Sequence, residues 1–495
     1  MAPDSQSAPI STPLAPRDLS LIISGAMIAI FLAALDQTIV ATALPSIVRD
    51  LGDVASLSWV VTAYLVTSIC ATAIAGKLSD VYGRRRLMLA ALVIFIAASV
   101  LCALAQSMTG LIAARAIKGI GGGALMTLAQ TVIADVVSPR ERGRYAAHFS
   151  GMWALASLLG PTLGGLITEY LSWHWIFWMN LPLGVAALVT VDGVLRKLPV
   201  RRTPSRIDVQ SMILLPVATT AALLALSWGG VTYAWVSVQV GGALMLAIIV
   251  SWMFWRRQLR LAEPIFAPAF LHDAVVGRVL PAMFFAFATY LALAVTMPVF
   301  IKLVLQLSPG DIGLLMIPFT FSTTITAYLS GRYVRRTGDY RRPPLLGFPL
   351  AILGALGFAL SASHVGAWAT AILLLIIGLG VGPMFPTSVV AVQNAVKIRD
   401  IGAVTGALGY VRSLGGAVGA AAATALVLTL VSGPGQVHGL DELMRVRLGD
   451  ADRLLVAGAF RWLFLALACG LGLAMAAYSR VELRPLREQS ALASK

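Results

Sequence analysis

Apolar residues along this chain come in long runs separated by short polar stretches. Each run is about 20 residues, the length a helix needs to cross the hydrocarbon core of a bilayer. Helix is imposed there, because backbone amides in lipid must pair within their own segment. The runs predict fourteen spans, near 21–44, 58–76, 87–106, 110–133, 147–168, 174–193, 208–228, 234–254, 279–301, 312–331, 344–362, 366–388, 402–430 and 456–478. The chain therefore reads as an all-α polytopic membrane protein.

Composition supports that reading. Of the 495 residues, 58% are hydrophobic and 12% charged, against about 25% charged in soluble domains. Too few charges remain to cover a water-facing surface. The net charge of +15 would suit a nucleic-acid binder, but the basic residues sit in short loops between apolar runs and form no single face. With the N-terminus inside, 28 of the 37 Lys and Arg residues fall on the inner side and five outside, with four in or at the ends of spans. That asymmetry predicts both termini in the cytoplasm and an even number of spans. The first run lacks a cleavage site and reads as a span, not a removable signal. Cys70, Cys102 and Cys469 lie inside apolar runs with no metal-ligand spacing and read as packing residues.

Three stretches recur at a nearly constant offset. Gly76 to Arg86 matches Gly331 to Arg341; Gly119, Gly121 and Gly123 match Gly378, Gly380 and Gly382; Gly151, Gly160 and Gly164 match Gly406, Gly415 and Gly419. The repeat pairs spans two to five with spans ten to thirteen. It predicts a cytoplasmic disordered tail over 1–20, a six-helix half over 21–193, a linker with two additional spans over 194–277, a second six-helix half over 278–478 and a cytoplasmic tail over 479–495. Parallel halves around a central site are a transporter architecture.

The loop Gly76-Lys77-Leu78-Ser79-Asp80-Val81-Tyr82-Gly83-Arg84-Arg85-Arg86 resembles the signature loop between the second and third helices of the major facilitator superfamily. Arg115-Ala116-Ile117-Lys118-Gly119-Ile120-Gly121 resembles its fourth-helix motif, and Gly160-Pro161-Thr162-Leu163-Gly164-Gly165 the fifth-helix motif of its antiporters. Leu35-Asp36-Gln37-Thr38 through Leu44-Pro45, and Trp173 through Gly184, are similar to segments of the fourteen-span drug:proton antiporters. The resemblance covers nearly the whole chain. It implies the major facilitator fold and proton-coupled efflux of small amphipathic compounds by alternating access, in the cell inner (plasma) membrane. The energy source is then the proton gradient, with no cofactor. The implied partners are protons, a small-molecule substrate and membrane lipid. A monomer, with or without a periplasmic adaptor, is expected.

Asp36 is the carboxylate that lies well inside a span, where a charge is costly and usually functional. Counting helical rise puts Arg115 at similar depth, so the two are expected to couple directly or through water and to carry the proton. Lys118 sits on the same face as Arg115 and departs from the family, which more often has a neutral residue there. Two readings follow for it, a substrate contact or a side chain snorkelling to water. Asp80 and Arg84 are expected to pair, with Asp135 as third member and Gly76 and Gly83 permitting the turn. The resemblance makes this a gating latch for the outward-facing state. Its counterpart loop has Arg335 where Asp80 sits, which predicts an asymmetric latch.

Gly151, Gly160, Gly164 and Gly165 predict close helix approach, with Pro161 kinking the span. Arg412, near mid-membrane, is expected to line the central cavity, with Tyr64 and Gln130 as further cavity candidates. The tryptophans Trp173, Trp175 and Trp178 read as an interfacial belt. Arg115, Lys118 and Arg412 against the single Asp36 predict a preference for neutral or anionic amphipaths over dications. The alternatives are a dedicated exporter of one lipid, siderophore or metabolite, and an intramembrane enzyme. For the latter the chain offers no His-Glu-x-x-His, no aspartyl pair and no Gly-x-Ser-x-Gly, and its histidines are dispersed.

Overall fold

The computed structural model describes residues 16–53, 56–196, 208–229, 233–431 and 450–486. Within them, fourteen helices are long and apolar enough to cross a membrane. In chain order the helical elements are α1 (Pro16–Leu51), α2 (Leu57–Tyr82), α3 (Arg84–Ala103), α4 (Met108–Val136), α5 (Pro139–Tyr170), α6 (Trp175–Trp178), α7 (Asn180–Leu195), α8 (Val209–Trp228), α9 (Val238–Gln258), α10 (Pro268–His272), α11 (Val276–Val304), α12 (Pro309–Thr337), α13 (Arg342–Ser361), α14 (Ala367–Val381), α15 (Met384–Ala395), α16 (Ile401–Val431) and α17 (Asp450–Ser479). The sixth span is α6 with α7, and the twelfth is α14 with α15, interrupted at Gly382 and Pro383.

Helices overrun the apolar runs that announced them. α1 has 36 residues, about 54 Å at 1.5 Å per residue, well beyond a hydrocarbon core of about 30 Å. It begins at Pro16, so the last residues of the tail expected over 1–20 are helical; the tail's earlier residues lie outside the described ones. Amide pairing does not stop where hydropathy falls. For the same reason α12 carries Arg332, Arg335 and Arg336, and α5 carries Arg142, as helical residues and not as loop residues.

The packing of the first six spans is repeated by the last six. α2 packs on α4, α1 on α5, and α3 on α4 and α7; correspondingly α12 packs on α14, α11 on α16, and α13 on α14 and α17. The two sets meet along two seams, α2 against α16 and α5 against α12. α8 and α9 pair with each other and lean on α2 and α16. The turn ending α2 and the turn ending α12 use the repeat-matched glycines Gly83 (φ 92) and Gly338 (φ 74) in a region closed to most side chains. Cys70 and Cys102 are buried, but Cys469 is exposed, which corrects its reading as a packing residue. Trp173 corrects the belt reading: it is buried, and its indole donates to Asp50 at 2.8 Å.

Candidate functional site

Asp36 lies mid-helix on α1 with no solvent exposure. Its two carboxylate oxygens are divided between two cations. Arg115 Nη1 donates to Oδ2 at 2.5 Å and Lys118 Nζ to Oδ1 at 2.5 Å. Asn180 Nδ2 donates to Oδ1 at 3.4 Å. Arg115, Lys118 and Asn180 are also fully buried. Local structure explains the convergence. Arg115 and Lys118 are three residues apart, one turn of α4 on one face. Asn180 is the first residue of α7, directly after the break that ends α6, and the break aims it at Asp36.

Each cation is also held on its other side. Arg115 Nε donates to the Val60 carbonyl at 3.1 Å, and its guanidinium lies 4.2 Å above the Tyr64 ring. Lys118 Nζ sits 4.8 Å from the ring centroids of both Phe95 and Phe177. α4 comes this close because Gly119 and Gly123 present bare backbone to α2; a Cβ there would stand 2.1 Å from Thr67 Oγ1 and 2.0 Å from the Ser68 carbonyl.

Two expectations change here. Lys118 neither contacts a cavity nor snorkels: one carboxylate in reach, with aromatic walls, holds it in the dry interior. Tyr64 is fully buried, its hydroxyl 3.4 Å from the Ala33 carbonyl, and forms the floor under Arg115, not a cavity wall. Gln130 is half-buried on α4, twelve residues and about 18 Å along the helix from Lys118. The charge balance behind the expected substrate preference changes with them, since two of its three cations are spent on Asp36.

A second cluster closes the end of the bundle that carries the basic loops. Asp80, on the last turn of α2, takes Arg84 Nη1 at 2.5 Å, and Arg84 Nε donates to Asp135 at 2.9 Å. Asp80 also crosses to the other helix set. It accepts the backbone N–H of Gly402 at 3.2 Å and of Ala403 at 2.9 Å, in the first turn of α16. The first amides of a helix lack intrahelical partners and carry partial positive charge, so a carboxylate fits there. Sequence reasoning had no view of these backbone donors. Gly76 corrects the turn expectation: it lies inside α2 and lets the helices touch, since a Cβ on it would stand 2.3 Å from the Gly402 carbonyl.

The glycine motif of α5 divides. A Cβ at Gly160 or Gly164 would meet Thr38 Oγ1 at 2.0 Å or Thr42 Oγ1 at 2.2 Å, so these two seat α5 on α1 just beyond Asp36. Thr38 fills the space and donates to the Ala156 carbonyl at 2.9 Å. Gly151 and Gly165 correct the expectation: a Cβ on either meets nothing among the described residues. Pro161 is exposed, inside a helix that continues to Tyr170. Arg412 is half-buried on α16 beside Phe287, apart from both clusters.

This chain is 36% identical over 404 residues to the multidrug transporter protein MdtP of Bacillus subtilis (strain 168), covering 81% of this chain and 74% of that protein. It is 32% identical over 452 residues to the efflux pump dotC of Dothistroma septosporum, covering 89% and 75%. The crystal structure of the human organic anion transporter MFSD10 (TETRAN) superposes with a TM-score of 0.63 over 92% of this chain and 100% of that one, at 17% identity, a likeness of fold. A sequence profile described as the Major Facilitator Superfamily matches residues 26–420. With fourteen apolar helices in the packing described above, the chain is a multi-pass membrane transporter and belongs to the major facilitator superfamily.

Proposed function

We propose that this transporter exports small amphipathic compounds in exchange for protons, by alternating access, from the cell inner membrane. Both termini and the Asp80 end then face the cytoplasm, and the working halves are the six-helix units over 21–193 and 278–478. The observation that carries the reading is the fully buried Asp36 shared by Arg115 and Lys118. Isolated burial of each ion costs several kcal/mol, a standing penalty that a proton carrier explains and packing does not. A proton on Asp36 removes the only negative charge between two cations. Like charges repel strongly where the dielectric is low, so the protonated cluster favours opening to water and the ionised one favours closure. The relatives' names, a multidrug transporter and an efflux pump, support the direction of transport.

The test is uphill transport in inside-out vesicles under an imposed proton gradient, across chemically varied compounds. Asp36→Asn is expected to abolish it. Because that change strands two buried cations, it also costs about 3–5 kcal/mol of stability. Asp36→Asn with Lys118→Gln removes one stranded charge. It is expected to recover folded yield and remain uncoupled. Wild-type uphill transport by the double variant would refute Asp36 as proton carrier.

A further inference from the structure

The second helix set carries a charge that neither cluster uses. Arg412 lies roughly 16 Å along α16 by helical rise, near mid-membrane. It is half-buried and has no ion pair or hydrogen bond among the described residues. Its guanidinium carbon stands 5.7 Å from the ring centroid of Phe287. Phe287 begins an aromatic wall drawn from three helices. It stacks on Tyr290 at 5.6 Å, Tyr290 stacks on Phe319 at 5.1 Å, and Phe385 meets Phe287 and Tyr290 edge-on at 5.8 and 5.6 Å. Phe287, Tyr290 and Phe385 are half-buried, so part of the wall is open. α16 also touches the first helix set one turn away, where a Cβ on Gly409 would lie 2.5 Å from Thr72 and 3.7 Å from Thr127. Arg412 thus stands where the two helix sets meet.

An arginine at the centre of a span is costly to insert, and one aromatic contact returns only part of that cost. A ligand that brings the missing negative charge removes the penalty. We propose that Arg412 with Phe287, Tyr290 and Phe385 forms a binding site for a monoanionic aromatic amphipath. The guanidinium forks a carboxylate or sulfonate, and the rings hold the apolar body in offset or edge-on contact. One negative charge is the match, because Arg115 and Lys118 are both taken by Asp36. The site gives the efflux reading its substrate class and rests on that reading for transport, though not for binding.

Equilibrium dialysis of the purified full-length protein in detergent tests it with three probes of one shape: 1-pyrenebutyrate, neutral 1-pyrenebutanol and 1-pyrenebutyl-trimethylammonium. Saturable binding of the anion, at least about tenfold tighter than of the other two, is expected. Arg412→Gln should erase that preference, Arg412→Lys should keep part of it, and Phe287→Leu should weaken all three probes alike. Unchanged thermal melting of Arg412→Lys guards against misfolding as the cause. Equal or tighter binding of the ammonium probe, no saturable binding of the anion, or an unchanged preference in Arg412→Gln overturns the site. If the anion binds as stated while vesicles move no probe against its gradient, the site stands and the efflux reading fails.

Discussion

The two seams that join the helix sets occupy matching places in the repeat, yet they are held by opposite chemistry. At the α2/α16 seam, Asp80 reaches across and accepts the first amides of α16 while Arg84 neutralises it. At the α5/α12 seam the matching position is Arg335, and a cation facing a bare helix N-terminus would be repelled. There the first turn of α5 supplies its own carboxylate: Glu141 faces Arg335 at 3.7 Å. The first seam is buried, with Asp80 at 8% exposure. The second is wet, with side chains 37% and 41% exposed. The repeat reproduces the backbone contact and leaves the electrostatics free to differ. Hydrogen bonds to a charged group contribute about 1.5–3 kcal/mol, whereas an exposed pair contributes about 0–1 kcal/mol. The α2/α16 seam is therefore the more strongly held of the two.

Gly76→Val is expected to have the largest effect. The added side chain meets the Gly402 carbonyl and the Gly406 backbone, neither of which can move without separating the helices. The seam then does not close. A cysteine placed at the buried Ala403 should label freely from the basic side, and transport should be lost. Gly151→Val, facing open space, should leave labelling unchanged. Equal effects from both variants would break the comparison. Asp80→Asn comes next. It keeps the shape but loses the charge and one of the two amide acceptors. At about 1.5–3 kcal/mol, labelling at Ala403→Cys should rise tens-fold, with substrate affinity little changed because the cluster lies at the bundle end. Unchanged labelling with weakened binding would show that Asp80 is no latch.

The contrast between the seams was half legible in the sequence. The offset of the repeat set Arg335 against Asp80, and the sign change alone announced asymmetry. Glu141 and the amides of Gly402 and Ala403 were not visible, because a backbone donor has no side-chain signature and a carboxylate in a basic stretch looks like any other surface charge. The same division holds at Asp36. Helical rise put Arg115 at its depth, since both positions are counted along regular helices. The spacing to Lys118 showed a shared face but not that both cations aim at one carboxylate on another helix. Asn180 was hidden because the break between α6 and α7 falls inside an apolar run. The spans themselves were readable because lipid forces a length and a hydropathy on each; their ends were not, because helices continue into water.

The wet seam should respond to salt. Glu141→Gln removes at most about 1 kcal/mol. A cysteine at Tyr328, whose ring lies 6.2 Å from that of His148 across the α5/α12 seam, should label no more than about fivefold faster. Raising ionic strength shortens the screening length from about 8 Å to about 3 Å, so high salt should reproduce the Glu141→Gln effect in the unmodified protein. Labelling at Ala403→Cys should stay flat over the same range. Salt sensitivity at Ala403 would mean that water reaches Asp80 and that the two seams are alike.

The smallest effect is expected from the inserted pair, which leans on one seam only. α8 and α9 are pinned where Arg257 grips Asp208, Nε at 2.7 Å and Nη2 at 2.6 Å. Those hydrogen bonds hold the Asp208 carboxyl down at about 2. A carboxyl lowered in the folded state stabilises above its ordinary value of about 4 and loses that contribution as pH falls through the lowered one. Between pH 5 and 8 the grip is therefore constant, and pH in that window should not loosen the pair. Arg257→Ala removes it at every pH. Because Arg257 is partly exposed, labelling at Ala403→Cys should rise by roughly twofold or less. Labelling at Tyr328→Cys should not change, because the pair is joined to the bundle through α8, which packs on α2 and α16. A matching rise at Tyr328 would mean that the inserted helices brace both seams, and the difference between the seams would then lie in their charges alone.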